Sequence, residues 1–260
     1  DEWSLRNQLR NKMIRPTTIP QTMRDLYIEQ AVAREALRLA FIHHKSLARE
    51  LKGVQQTRTI GDAISQEGTG KTLVHLMDLD MIVGSGGVLS HAPKRQPEGV
   101  TMLAVDSIFM MPQLGILSEV MPEAALQVFN RDCLVKLGTA ICPVGICKEG
   151  QTALSLTIER RTSNIERPTS NGEGKTYEIP FGRIQVIPLG VGEKANVTIT
   201  PARGFDCGAG KGRPHSVEVE GGVVGLIIDA RGRPLNLPPE DEKRIAKLKE
   251  WLDAFRLSSV

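Results

Sequence analysis

Leu79-Asp80-Met81-Ile82-Val83-Gly84-Ser85-Gly86-Gly87 is the stretch that decides the fold. A short apolar run closes in a glycine-rich loop, and a second apolar run, Val100 to Val105, closes in Asp106-Ser107. Short continuous apolar runs bounded by turn residues read as strands buried on both faces. Two such strands, each followed by a loop and a helix-like segment, predict parallel strands in an α/β layer. Glycines leave room for a ligand to approach the backbone. The carboxyl ends of the strands are where open α/β sheets bind ligands. Gly84, Ser85, Gly86, Gly87 and Asp106 are therefore candidate binding residues. A ligand-free strand-to-helix turn is the alternative for the glycine loop, and spacing alone does not separate the two. Asp106 could hold magnesium or water, and an Asp at a strand end is equally a helix cap.

Upstream of these strands the pattern is helical. Trp3 to Lys12 reads as a short helix ended before Pro16. A longer helix carries Leu26, Ala33, Leu37, Ala40, His44, Leu47 and Leu51 at helical spacing. Thr22 and Asp25 resemble a capping box at its start, with Thr18 and Gln21 as a competing start, and Gly53 is its natural stop. His43 and His44 lie inside it without acidic or histidine partners at ligand spacing. The expectation is a packed His44 and a solvated His43. Downstream, Pro122 to Leu137 is expected to be helical, with Ala124, Val128, Leu134 and Val135 on its apolar face.

After Gly138 the periodicity changes to two. Ala153–Ile158, Ile184–Ile187, Ala195–Thr200 and Ser216–Glu220 alternate as half-buried strands, and Val223–Ile228 reads as a central strand. Thr162 to Gly174 is a polar loop. Asp229 is read as a hairpin-turn residue. Pro238 to Phe255 forms a terminal helix with acids leading and bases following, the order its dipole favours. Ile245, Leu248, Leu252 and Phe255 make its docking stripe. A boundary near Gly145 to Gly150 divides an α/β portion, 1–147, from a β-rich portion, 148–260, that ends in this helix.

Composition bounds the function. The 260 residues suffice for one large domain or two ordinary ones, and aromatics make up only 4%, so the core must be aliphatic. A net charge of +3 without a long basic run argues against a nucleic-acid partner. No apolar run approaches the roughly 18 residues of a membrane span, so no membrane role is expected. Cys133, Cys142, Cys147 and Cys207 read as free thiols of a reducing cytosol, and their spacing does not assemble a zinc site. No metal site is expected. Gly70-Lys71-Thr72 and Gly174-Lys175-Thr176 end like phosphate-binding loops, but Ser65 and Thr169 stand where the earlier glycine is required. Both are rejected. His91 lies just past the glycine loop and reads as structural. No residues form a defensible acid–base pair or nucleophilic triad, so the catalytic residues stay unknown.

Asp80-Met-Ile-Val-Gly-Ser-Gly-Gly-Val-Leu-Ser-His-Ala-Pro93 and Leu103-Ala-Val-Asp-Ser-Ile-Phe-Met-Met-Pro112 resemble signatures of the glutamate mutase accessory proteins. This is the MutL or GlmL family, unrelated to mismatch-repair MutL. Met13–Pro20, Gln55–Ile60 and Gly225–Pro234 are similar to it again, so the likeness spans nearly the whole chain. The resemblance implies an actin-like ATPase fold, ribonuclease H-like, of the acetate kinase, sugar kinase and Hsp70 (ASKHA) class. Gly84, Ser85, Gly86 and Gly87 would then contact adenosine, Asp106 would orient the nucleotide, and ATP with magnesium would be the cofactor. The implied role is cytoplasmic and chaperone-like: reactivating an adenosylcobalamin-dependent mutase, of glutamate mutase or aminomutase type, through ATP-linked domain movement.

The implied partners are the mutase subunits, and no cobalamin site is identified in the chain. The sequence departs from the family pattern in lacking an acidic N-terminal phosphate-binding loop. It is therefore expected to correspond to the family's C-terminal portion, with any ATPase activity requiring the missing half. Gln96-Pro97 also stands where a helix is expected. Two rival readings remain: a nucleotide-independent scaffold that binds the mutase, and a small-molecule kinase of the same fold.

Overall fold

The computed structural model describes residues 2–15, 18, 20–47, 75–85, 97–160, 174–233 and 235–256. The chain forms two compact units, Asp1–Leu73 with Gly86–Lys94 and Val74–Ser85 with Arg95–Val260.

The first unit contains helices α1 (Glu2–Ile14) and α2 (Met23–Leu47). The expected capping box is present. The Asp25 amide donates to Thr22 Oγ1 at 3.1 Å, and the Thr22 amide donates to Asp25 Oδ2 at 3.1 Å. This satisfies amides at the helix start that have no intrahelical partner. The two helices meet through polar groups. Lys12 Nζ lies 2.5 Å from Glu29 Oε1, and Gln8 Nε2 donates to Asp25 Oδ1 at 3.0 Å. His43 is exposed on α2. The side chain of His44 and the segments holding Gly53, Gln55–Ile60, Gly70-Lys71-Thr72 and His91 lie outside the described residues.

The second unit has three layers. Its five-stranded sheet runs β1-β2-β3-β9-β6 in space, and its four-stranded sheet runs β5-β4-β7-β8. β1 (Met81–Ser85) pairs with β2 (Gly99–Asp106) in parallel, as the two apolar runs predict. β3 (Leu134–Cys142) runs antiparallel to β2 and parallel to β9 (Leu226–Asp229), and β6 (Ile184–Ile187) closes the far edge. The second sheet holds β4 (Thr152–Arg160), β5 (Lys175–Pro180), β7 (Lys194–Pro201) and β8 (His215–Glu220), all antiparallel. Strands on both sides of the expected 147/148 boundary thus share the five-stranded sheet.

Successive side chains on a strand point to opposite faces, and the core shows it. Ile141, Leu226 and Ile228 face the second sheet, where they meet Leu154, Leu156, Ile179, Val197 and Ile199. Ala140, Cys142 and Ile227 face the other way and pack with Trp251 of the terminal helix, α5 (Asp241–Arg256). Trp251 Nε1 donates to the Gly182 carbonyl at 2.8 Å, which satisfies its polar edge inside the core. Val223–Ile228, expected to be a central strand, is realised as β9 between β3 and β6.

Three expectations are corrected. Of the stripe expected to dock the terminal helix, Ile245, Leu252 and Phe255 are exposed, and α5 packs through Leu248, Trp251 and Ala254 instead. The helix expected over Pro122–Leu137 stops early: α4 spans Pro122–Val128, a π-helical turn covers Phe129–Cys133, and β3 starts at Leu134. The apolar residues Leu134 and Val135 belong to a strand. Asp229, expected in a hairpin turn, is instead the last residue of β9 and is buried. The helix-like segment after the second apolar run, given no bounds from the sequence, is α3 (Met111–Ser118), which precedes α4.

Glycine is required where β3 passes the residues that lead into β9. An added Cβ at Gly138, whose φ is +129, would fall 1.9 Å from the Gly225 carbonyl oxygen. Gly138 lies opposite the register shift between Leu103 and Ala104, so it is the residue at which β3 bends around β2.

Candidate functional site

β1 and β2 end side by side, with Ser85 opposite Asp106 in the parallel register. Of the expected binding residues, Gly84 and Ser85 are half-buried at the end of β1, and Asp106 is fully buried at the end of β2. Gly86 and Gly87 lie outside the described residues. Ser85 Oγ donates to Asp106 Oδ2 at 2.9 Å. The amides of Met110 and Met111 donate to Asp106 Oδ1 and Oδ2 at 3.1 and 3.0 Å.

Burial pushes the Asp106 carboxyl up. The amides of Met111 and Met110, the Ser85 hydroxyl and the Ile108 amide outweigh it, and the group is held below its ordinary value. Asp106 is therefore an ionised anchor that caps the turn into α3 and fixes Ser85 at the end of β1. Both carboxylate oxygens already accept hydrogen bonds from the protein, so its chemistry is positional. The turn it caps is strained, because Phe109 has φ +57. A bulky residue in that region is costly, on the order of 1–2 kcal/mol. Ser107 closes the other side, its amide and hydroxyl both donating to the Cys133 carbonyl at 2.9 Å.

A second ionic centre, not anticipated from the sequence, sits at the end of β9. Arg231 Nε and Nη2 donate to the two oxygens of Asp229 at 2.8 and 2.6 Å. Arg233 Nη2 donates to Asp229 Oδ2 at 2.8 Å, and its Nε donates to the Pro97 carbonyl at 3.0 Å. Burial raises the Asp229 pKa, but the Arg231 and Arg233 guanidiniums more than reverse it and bring it to about 2. Arg231 also stacks on Trp251, 5.0 Å from the ring centre. This centre locks β9, the entry to β2 and the terminal helix together. An Asp that ends a wholly apolar strand and is followed by Arg at the second and fourth positions was the signal available for it.

The other sequence candidates are dispersed. Lys175 and Thr176 pair with Ile158 and Thr157 inside a β-ladder, which no phosphate-binding loop could do. The four cysteines are free. Burial pushes the Cys142 and Cys207 thiols up to about 12. No cluster of three or more metal-ligating side chains occurs among the described residues, and none of their helices is long and apolar enough to cross a membrane.

The family comparison reaches the same segment. The model of the MutL protein family matches residues 1–133, through the paired ends of β1 and β2 and up to the residue before β3. No curated protein and no solved structure matches the chain. With half of its length matched, and the glycine loop and Asp106 inside that match, the chain belongs to the MutL family, the accessory family of glutamate mutase and not the mismatch-repair proteins of the same name.

Proposed function

We propose that this chain is an accessory component of an adenosylcobalamin-dependent mutase, of the glutamate mutase or aminomutase type, and carries the adenosine side of an ATP–magnesium site. In this reading the fold is of the actin-like ATPase class, and nucleotide binding drives a domain movement that reactivates the mutase in the cytoplasm. One observation carries it. In a member of this family, two parallel strands end in register at Gly84-Ser85 and Asp106, and Gly86-Gly87 come next in the sequence. Strand ends of this kind are the ligand-binding edge of α/β sheets. Asp106 would act as a positioning residue, holding Ser85 and the turn before α3 through hydrogen bonds and leaving contact with the nucleotide to the loop backbone.

Hydrogen exchange over residues 84–87, measured in the longest native form of the protein with and without saturating ATP–magnesium, tests the reading. Slowed exchange is expected. Exchange unchanged at saturating nucleotide would remove the nucleotide site.

A second reading, a nucleotide-independent scaffold for the mutase, is favoured by a different observation: both oxygens of Asp106 are already engaged by the protein. It expects mutase binding of equal strength with and without ATP.

A further inference from the structure

The corner of the fold formed by the turn after β2, α3 and α4 has unusual surface chemistry. Its inner side is small: only Leu114, Ala125 and Cys133 are buried, with Met110 and Phe129 packed against them. The outer side is apolar. Ile116, Val120 and Leu126 are 72%, 81% and 60% exposed, and Ile108, Phe109 and Met121 are each more than half exposed. Single exposed apolar residues are ordinary, whereas six on one short two-helix corner mark a contact surface.

The charge of this corner is one-sided. Between Glu98 and Arg131 the sequence has no Lys, Arg or His, although the whole chain carries +3. The exposed carboxylates of the corner are Glu119 and Glu123, and neither has an ion-pair partner among the described residues. Glu119 is the C-cap of α3, the helix end at which a negative charge is unfavourable. An anion at that end gains a partner if a cation arrives from outside the chain.

We infer that the α3–α4 corner is the surface on which this chain receives its partner, and that the partner presents an apolar patch rimmed by Lys or Arg. Resting on the reading above, the occupant is a mutase subunit. The apolar residues supply the contact area, and Glu119 and Glu123 fix its orientation and raise the association rate. The strained Phe109 is held outward by the turn that Asp106 caps, so the contact surface and Ser85 are anchored on the same carboxylate.

The test is affinity of the purified mutase subunits for the full chain, measured by calorimetry at low and high salt. Wild type is compared with Ile116→Ser/Val120→Ser and with Glu119→Lys/Glu123→Lys. All four positions are exposed, so both variants should melt like wild type by circular dichroism. The serine variant should bind about ten-fold or more weakly. The lysine variant should also bind more weakly and lose its salt dependence. Wild-type affinity in both variants would overturn the assignment while leaving the mutase as partner. Unchanged mutase binding together with loss of self-association in the serine variant would make the corner a contact between copies of this chain, and would also overturn it. Failure of the wild-type chain to bind any subunit would remove the partner named under the proposed function, and this surface assignment with it.

Discussion

Acid should unfold this protein in part through Asp229, and the size of the effect follows from the geometry. The carboxylate is almost fully buried, accepts hydrogen bonds from two guanidiniums, and has a pKa lowered from 3.8 to about 2. A carboxyl whose folded pKa lies below its unfolded value stabilises the fold above the unfolded value. That stabilisation disappears as pH falls through the folded value. The window therefore opens near pH 5 and closes near pH 2. At about 1.4 kcal/mol per pKa unit, the contribution is about 2.5 kcal/mol.

Asp229→Asn removes the titration and leaves buried Arg233 without its carboxylate, at a cost of about 3–5 kcal/mol at neutral pH. Urea unfolding of wild type and variant, repeated from pH 6 to pH 2, separates this group from every other acid. The difference in stability between the two proteins should shrink by about 2.5 kcal/mol across the window. If the variant is too unstable at neutral pH, Arg231→Met, which removes the more exposed of the two partners, should show a difference that shrinks over the same pH window by the smaller amount that Arg231 contributes. A difference that stays constant from pH 6 to pH 2 would refute the assignment of Asp229 as a buried ionised carboxylate.

Gly138→Ala should prevent folding of the second unit, because the new methyl would overlap the Gly225 carbonyl. Gly115→Ala, on α3 with nothing within 4 Å, should stabilise by about 0.5–1 kcal/mol; paired thermal melts compare them. Ser85→Ala deletes the hydroxyl that donates to Asp106 and should cost about 1.5 kcal/mol in urea unfolding. Alkylation with iodoacetamide at pH 8, mapped by mass spectrometry, should reach half-buried Cys147 first. Cys142 and Cys207, pushed up to about 12, should react only on unfolding.

The legible parts of the fold were those in which one segment carried its own signal. β1 and β2 are bounded apolar runs, and the ladder strands β4, β7 and β8 alternate cleanly. The α2 cap needed only Thr22 and Asp25. The misread parts depend on partners distant in sequence. Leu134–Cys142 continues an apolar helical stripe with neither Pro nor Gly at its start. What turns it into β3 is pairing with β2 on one side and β9 on the other. β5 was missed because it is an edge strand with one buried residue, Ile179, and ends in Pro180, as edge strands can. α3 is apolar on its outer face as well as its inner one, so it shows no stripe against which a helix could be recognised. At the candidate site, Ser85 and Asp106 were both legible as strand-end residues. Their hydrogen bond was not, because the parallel register that joins them is a tertiary fact.

The boundary at Cys133 has a practical consequence. The family match ends there, and a natural instinct would be to cut the protein at that residue. Yet Leu134–Cys142 pairs with β2 along its whole length, from Gly99 to Asp106. A chain shortened to the matched region would leave one entire edge of an apolar strand open, with its amides and carbonyls free to recruit a neighbour. The recognisable part of this sequence would end on an open strand edge, and the unmatched remainder supplies the strand that covers it.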